Sequence, residues 1–455
     1  MHIPQVCTVF LTTTQATGWQ AHKNLLALAF PMILANITTP LLGLVDTAVM
    51  GHMDSSAMLA GASIGTLILT QIYWVCGFLR MSSTGLSAQA KGDQDAPLLR
   101  SAKVLWQTSA VALILGLGII LLQQPVLWAG QALASSQPDV AGFTEMYFSV
   151  RVWGAPAAML NLALIGWLVG QQKTRQVLVI QIVGNLLNAA LDIVFVYGLD
   201  MSVRGVALAS VIAEYTMMLM SVVVALRLTK GHLPAFDWFN SAARKVLLKL
   251  NGNMLLRNLA LQACLAFLTI QGARIGETAA AVNAILMQFF VLIAVGLDGV
   301  AFAVEALVGE AAGAKDQRKL VACTNRGLFW SSMFALVYAL MFFVAGSDII
   351  GLLTDIEALR ITAASYLPLM VLMPLAGHWC FLFDGVFVGL TRSGAMRNTM
   401  IISALLVFFP VWWYFKDYGN VALWYALLAF LLARGVTLGW EFWKLSKQGA
   451  LTEKT

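Results

Sequence analysis

The sequence predicts an all-α, polytopic membrane protein, with twelve transmembrane helices in two six-helix lobes related by a pseudo-two-fold axis along the membrane normal. Three observations carry this expectation. Of the 455 residues, 60% are hydrophobic and only 11% are charged, against about 25% charged in a typical soluble domain. Apolar runs of roughly 20 residues recur from one end to the other, the length a helix needs to cross a bilayer. Finally, segments between runs in the first half reappear in the second. A β-barrel is excluded because the runs are too long and do not alternate.

Gly, Pro and charge breaks divide the chain in order. Residues 1–23 are polar and mixed, with no basic flank and no small-residue cleavage site. They read as a cytoplasmic tail, and the apolar run that follows reads as a retained helix. Spans are expected near 24–50, 57–80, 98–122, 142–170, 174–197 and 203–229, forming an N-lobe over 24–229. A polar break, 230–250, reads as a cytoplasmic connector. Six more spans are expected near 251–272, 279–305, 318–345, 361–390, 394–416 and 420–443, a C-lobe over 251–443, before a cytoplasmic tail over 444–455.

The net charge of +6 would suggest nucleic acid in a soluble protein. Here the basic residues cluster between apolar runs, which points to membrane topology. With the amino terminus cytoplasmic, that side collects most of the 28 Lys and Arg residues, and only Arg204, Arg274, Arg360 and Lys416 fall outside. The positive-inside rule favours this orientation, with both termini cytoplasmic. Five cysteines, Cys7, Cys76, Cys264, Cys323 and Cys380, show neither redox nor metal-ligand spacing.

The halves look related. "SAQAKGDQDAPLLRSAK" (87–103) follows the second span and "LVGEAAGAKDQRKLVAC" (307–323) follows the eighth. "GWLVGQQKTRQ" (166–176) follows the fourth and "VFVGLTRSGAMRN" (386–398) follows the tenth. Duplicated halves of like orientation are a recurring plan of alternating-access transporters.

The residues also resemble a known family. "PLLGLVDTAVMGHMDSSAMLAGASIG", "STGLSAQAKGD", "GWLVGQQKTRQVLVIQIVGNLLNAALDIVFV", "VEALVGEAAGAKD" and "DGVFVGLTRSGAMRNT" are similar to segments of multidrug and toxic compound extrusion (MATE) transporters, in the bacterial branch called DinF. The resemblance covers essentially the whole chain. It implies two lobes around a V-shaped cleft in a bacterial inner membrane. It also implies export of diverse, often cationic or amphipathic compounds against inward proton or sodium flow. In similar branches a first-helix aspartate and a fifth-helix polar cluster form the cation site. Asp46 matches the former, and Asn185, Asn188 and Asp192 match the latter.

Chemistry supports those positions independently. Asp46 lies five residues before Gly51, roughly 7–8 Å inside the end of its span. Asn185, Asn188 and Asp192 share one face of the fifth span. Both carboxylates then fall in the outer half of one lobe. A carboxylate in low dielectric favours its neutral form, and asparagine can hydrogen-bond to either state. The C-terminal half carries Phe267, Ala404, Val407 and Val411 at the corresponding positions, so the constellation is not repeated. Pro31 and Pro40 lie inside the first span and are candidates for a helix switch near Asp46.

Asp384 and Asp298 are second-tier coupling or substrate residues. In a sodium-coupled branch of the family a tenth-helix aspartate works with a seventh-helix glutamate. Asp384 matches the aspartate, but the seventh span has no acid. Glu305 is expected to pair with a loop base, Arg257 and Arg434 to snorkel towards the interface, and Arg151 to form a buried ion pair with an unidentified partner. Met287, Gln288, Phe289 and Phe290 are candidates for the cleft lining.

No nucleotide loop, HExxH motif or catalytic constellation is present, so neither an enzyme nor an ATP-driven pump is expected. No metal and no cofactor are expected beyond the coupling ion, with the proton preferred to sodium. Expected partners are organic small molecules and membrane lipid, not nucleic acid, and the chain is expected to work as a monomer. A lipid-linked precursor flippase would need a basic cavity for diphosphate, and the membrane arginines are few and scattered. A receptor or scaffold would need neither duplicated halves nor paired acids.

Overall fold

A computed structural model describes residues 18–51, 55–134 and 137–452. Among them, eleven helical segments are long and apolar enough to cross a membrane, and the 34-residue helix Gly18–Gly51 makes twelve. The N-lobe spans are Gly18–Gly51, Ser56–Gly92, Pro97–Leu121, Pro138–Gly170, Thr174–Gly198 and Ser202–Leu228. Those of the C-lobe are Ser241–Ile275, Glu277–Gly313, Gln317–Leu353, Leu367–Gly389, Ser393–Tyr418 and Val421–Lys447. Short helices Gln123–Ala134 and Glu357–Ala364 follow the third and ninth spans, one in each lobe.

Several helices run beyond their apolar cores. The second and eighth end at Gly92 and Gly313, and the seventh begins at Ser241, inside the stretch read as connector. Asn240 caps that start, its side-chain oxygen accepting from the Ala243 amide at 2.9 Å. The link between lobes is therefore short, and it is tacked down by buried Trp238, whose carbonyl accepts from Gln107 Nε2 at 2.5 Å.

Four spans are interrupted. The second breaks at Cys76–Gly77. Asn258 of the seventh span donates to the Val75 carbonyl freed there, at 3.2 Å, as a polar backbone group inside a membrane requires. The fourth narrows to a 3₁₀ turn at Val152–Gly154 and the fifth ends in a π turn, Val194–Gly198. The eleventh has a π turn at Ala404–Phe408 just ahead of Pro410; proline's missing donor and its ring disturb the turn before it. Pro31 and Pro40 lie within an unbroken first helix.

The halves repeat in detail. Gly170 packs against Thr84 O and Ala88 N, and Gly389 against Glu305 O and Gly309 N. Those are matched positions in the two lobes. In each lobe the glycine removes the Cβ that would keep two helices apart. The lobes join near the ends of the second and eighth spans. Gln89 Nε2 donates to Gly389 O at 2.9 Å and Thr391 Oγ1 at 3.1 Å. In the mirrored contact, Gln172 Nε2 donates to Glu310 Oε2 at 2.5 Å. Lys91 and Lys319 complete Glu310 at 3.0 and 2.8 Å.

Further bonds join the lobes part-way along. Ser82 Oγ donates to Asn251 Oδ1 at 2.7 Å, Asn36 Nδ2 to Val295 O at 3.4 Å, and Gln262 Nε2 to Gln71 Oε1 at 2.5 Å. Beyond these, no hydrogen bond joins the lobes towards the opposite end among the described residues.

Candidate functional site

The fifth span carries the polar face expected of it. Asn188 and Asp192 are both buried, and Asn188 Nδ2 donates to Asp192 Oδ2 at 3.3 Å. Asn185, one turn earlier, is half-buried, and its Nδ2 has no partner among the described residues. Gly184, one turn before Asn188, lets the Met217 side chain of the sixth span approach closely. The first span packs along the fifth, and Tyr197 Oη of the π turn donates to Val49 O at 3.3 Å. Asp46 belongs to the first helix, five residues before its end at Gly51; its side chain lies outside the described residues. Asp192 is six residues before Gly198, so the two acidic positions sit at similar depth on neighbouring helices.

A second polar region lies at the junction of the lobes, where sequence reasoning missed most of the partners. Arg80 of the second span gives both terminal nitrogens to Glu305 of the eighth, at 3.0 and 3.4 Å. Its guanidinium lies 4.1 Å from the centre of the Phe302 ring. Glu305 therefore pairs across the lobes rather than with a loop base, because the eighth helix continues to Gly313 and leaves the residue inside the membrane.

Arg257 and Arg434 do not snorkel. The seventh helix starts 16 residues before Arg257 and the twelfth ends 13 residues after Arg434, so both side chains sit far from either helix end. Arg257 Nη2 is 2.6 Å from Asp384 Oδ2, and Arg434 Nη2 pairs with the same oxygen. Asp298, two turns from Glu305 on the eighth helix, is half-buried and makes no hydrogen bond or ion pair among the described residues.

Arg151 does find a buried partner. Its Nη1 and Nη2 lie 2.7 and 2.5 Å from Glu214 Oε2 and Oε1 of the sixth span. Gly154 makes room, since a Cβ there would stand 2.5 Å from Glu214 Oε2. The single acid inside the sixth apolar run was the signal available in the sequence.

The proposed lining needs correction. Phe289 is fully buried, 4.9 Å ring to ring from Phe342, and Met287 and Phe290 pack on the same C-lobe core. The eighth helix is flanked by the ninth and tenth, so these side chains face its neighbours. Of the four, only Gln288 is exposed.

Comparison with known proteins places this geometry. A family model described as MatE matches residues 31–194 and 254–413, once in each lobe. DNA damage-inducible protein F of Escherichia coli (strain K12) is 39% identical over 446 residues, covering 96% of this chain and 94% of its own. The multidrug resistance protein PmpM of Pseudomonas aeruginosa is 33% identical over 185 residues, 39% of this chain and 36% of its own. A crystal structure of MATE in complex with MaD3S superposes with a TM-score of 0.82 at 19% identity, covering 95% of this chain and 97% of that one.

Proposed function

The chain belongs to the MatE family of multidrug efflux transporters, and on that footing we propose that it exports organic, often cationic or amphipathic compounds in exchange for inward protons. The observation that carries the coupling is the buried Asn188–Asp192 pair, at the depth of Asp46 on the adjoining first helix. In this reading Asp46 and Asp192 take up protons from the cleft and release them when the site turns to the other side. Asn185 and Asn188 hydrogen-bond the carboxylates in either state. Pro40, and less directly Pro31, let the first helix bend as its acid changes charge.

Lys91, Lys315 and Arg318 lie at the joined ends of the lobes, so by the positive-inside rule this side is cytoplasmic. The arrangement is then outward-facing, in a bacterial inner membrane, with both termini inside. The multidrug resistance relatives support the substrate class. Asp384 acts as an anchor for two arginines, since a proton on it would leave both guanidiniums without a counter-charge.

The test is transport in liposomes containing the purified protein, with the fluorescent cation ethidium and an internal pH dye. Ethidium movement under a pH gradient, abolished by Asp46→Asn or Asp192→Asn, is the expected result. Movement that needs a sodium gradient overturns the choice of ion. Full proton-driven activity in both variants overturns the site.

A further inference from the structure

Three guanidiniums and three carboxylates meet where the lobes join, drawn from five helices. Arg80 comes from the N-lobe; Arg257, Asp298, Glu305, Asp384 and Arg434 come from the C-lobe. With all six ionised the cluster is neutral. Its acids are not equivalent, however. Glu305 is held by Arg80 at 3.0 Å, and Asp384 is held by both Arg257 and Arg434. Asp298 alone has no ion pair among the described residues, and it alone can take a proton without breaking one.

We propose that Asp298 is a second proton-binding site, in the opposite lobe from the Asp46–Asp192 site, and that its proton loosens the cytoplasmic closure. The position supports this role. Asp298, Phe302 and Glu305 stand at i, i+4 and i+7 on one face of the eighth helix. Arg80 reaches across from the other lobe and lies against the Phe302 ring between the two acids. The charges acting on Asp298 are Arg80, Glu305, Asp384 and Arg257. From the neighbouring first helix Asn36 binds the Val295 carbonyl, and from the ninth Tyr338 abuts Gly296; neither adds a charge.

The sign follows from the balance. A proton on Asp298 leaves three guanidiniums facing two carboxylates, one guanidinium on the N-lobe and two on the C-lobe. The C-lobe share of the cluster thereby falls from one net negative charge to none, and its attraction for Arg80 across the junction weakens. A proton arriving from the outward cleft would thereby favour opening to the cytoplasm, the direction exchange requires. The inference rests on the exporter reading for its purpose, though not for its measurement.

The experiment uses full-length protein in nanodiscs, with Gln94→Cys and Lys315→Cys spin-labelled in a background free of the native cysteines. These positions face each other across the joined ends, where Gln94 donates to Ala314 O. In the parent protein, lowering pH is expected to raise the ratio of wide to narrow distances roughly tenfold, an ordinary coupling strength. Asp298→Asn, neutral at every pH, is expected to show the widened ratio already at neutral pH. Asp298→Glu is expected to restore the pH response. Infrared pH-difference spectra are expected to lose one carboxyl band in Asp298→Asn and to regain a shifted one in Asp298→Glu.

Parental distances and an unchanged carboxyl spectrum in Asp298→Asn overturn the proposal. If Asp46→Asn and Asp192→Asn abolish the pH response while Asp298→Asn leaves it intact, this inference fails and the N-lobe reading stands. If only Asp298→Asn alters it, the outcome is reversed.

Discussion

Gly92 and Gly313 are counterparts in the two lobes, and each presses its backbone against a carbonyl of the other. A Cβ on Gly92 would collide with Glu310 O, and one on Gly313 with Gln89 O. Gln89 and Glu310 are themselves counterparts, so the same contact is made twice around the pseudo-two-fold axis. Two helix ends can approach this closely only where neither carries a side chain.

Gly92→Ala is accordingly expected to pry the closed end apart while leaving each lobe folded. Overpacking of this kind costs typically about 1–3 kcal/mol, a shift of roughly tenfold or more towards the open arrangement. Spin-label distances across Gln94 and Lys315 are the check, with unchanged distances counting against a tight inter-lobe contact. Gly118, which has open space around it, is the matched control.

Arg151 and Glu214 should behave as a unit. Arg151→Met leaves a buried carboxylate unpaired and is expected to destabilise by about 3–5 kcal/mol. Arg151→Met with Glu214→Leu removes both charges and should recover most of the loss. Thermal unfolding in detergent distinguishes the two; a double variant as unstable as the single one would show that the pair is not the source.

Asp384 and Arg434 make an unequal pair of tests. Asp384→Asn strands two buried guanidiniums and is expected to be severe, again about 3–5 kcal/mol. Arg434→Met leaves Arg257 and Asp384 matched one to one and should be the milder change. The unfolding midpoint reads both. A more damaging Arg434→Met would contradict the assignment of Asp384 as their shared counter-ion.

Asn188→Ala deletes the donor to Asp192 Oδ2. A hydrogen bond to a charged group is worth about 1.5–3 kcal/mol, so proton-driven ethidium export should fall by roughly ten- to a hundredfold. Initial rates in liposomes at fixed pH gradient measure it. An unaltered rate would remove Asn188 from the coupling site.

Hydropathy alone made most of the architecture legible, because a bilayer leaves few choices for a long apolar run. Helix ends were less legible, and the same cause hid the ion pairs. Arg257 looked close to an interface because its apolar run begins near residue 251, whereas the helix begins at Ser241. Pairing is a tertiary fact: Arg80 and Glu305 are 225 positions apart, and no local spacing announces them. By contrast Asn185, Asn188 and Asp192 were readable because one helix face displays them. Phe289 was misread because apolar aromatics look alike whether they face a cleft or a core.

The clasps that Gln89 and Glu310 each make with the opposite lobe also bear on which halves can associate. Suppose two C-terminal halves met around the same axis. Glu310 would then face Ala312 and Thr391, the counterparts of Lys91 and Gln172, and would lose two of the partners it has now. Two N-terminal halves would set neutral Gln89 beside Gln172 and would lack any acid there for Lys91. Each half is thus better satisfied by the other than by its own copy. The duplicated gene product has become a committed heterodimer on one chain, and split halves produced together should find one another rather than themselves.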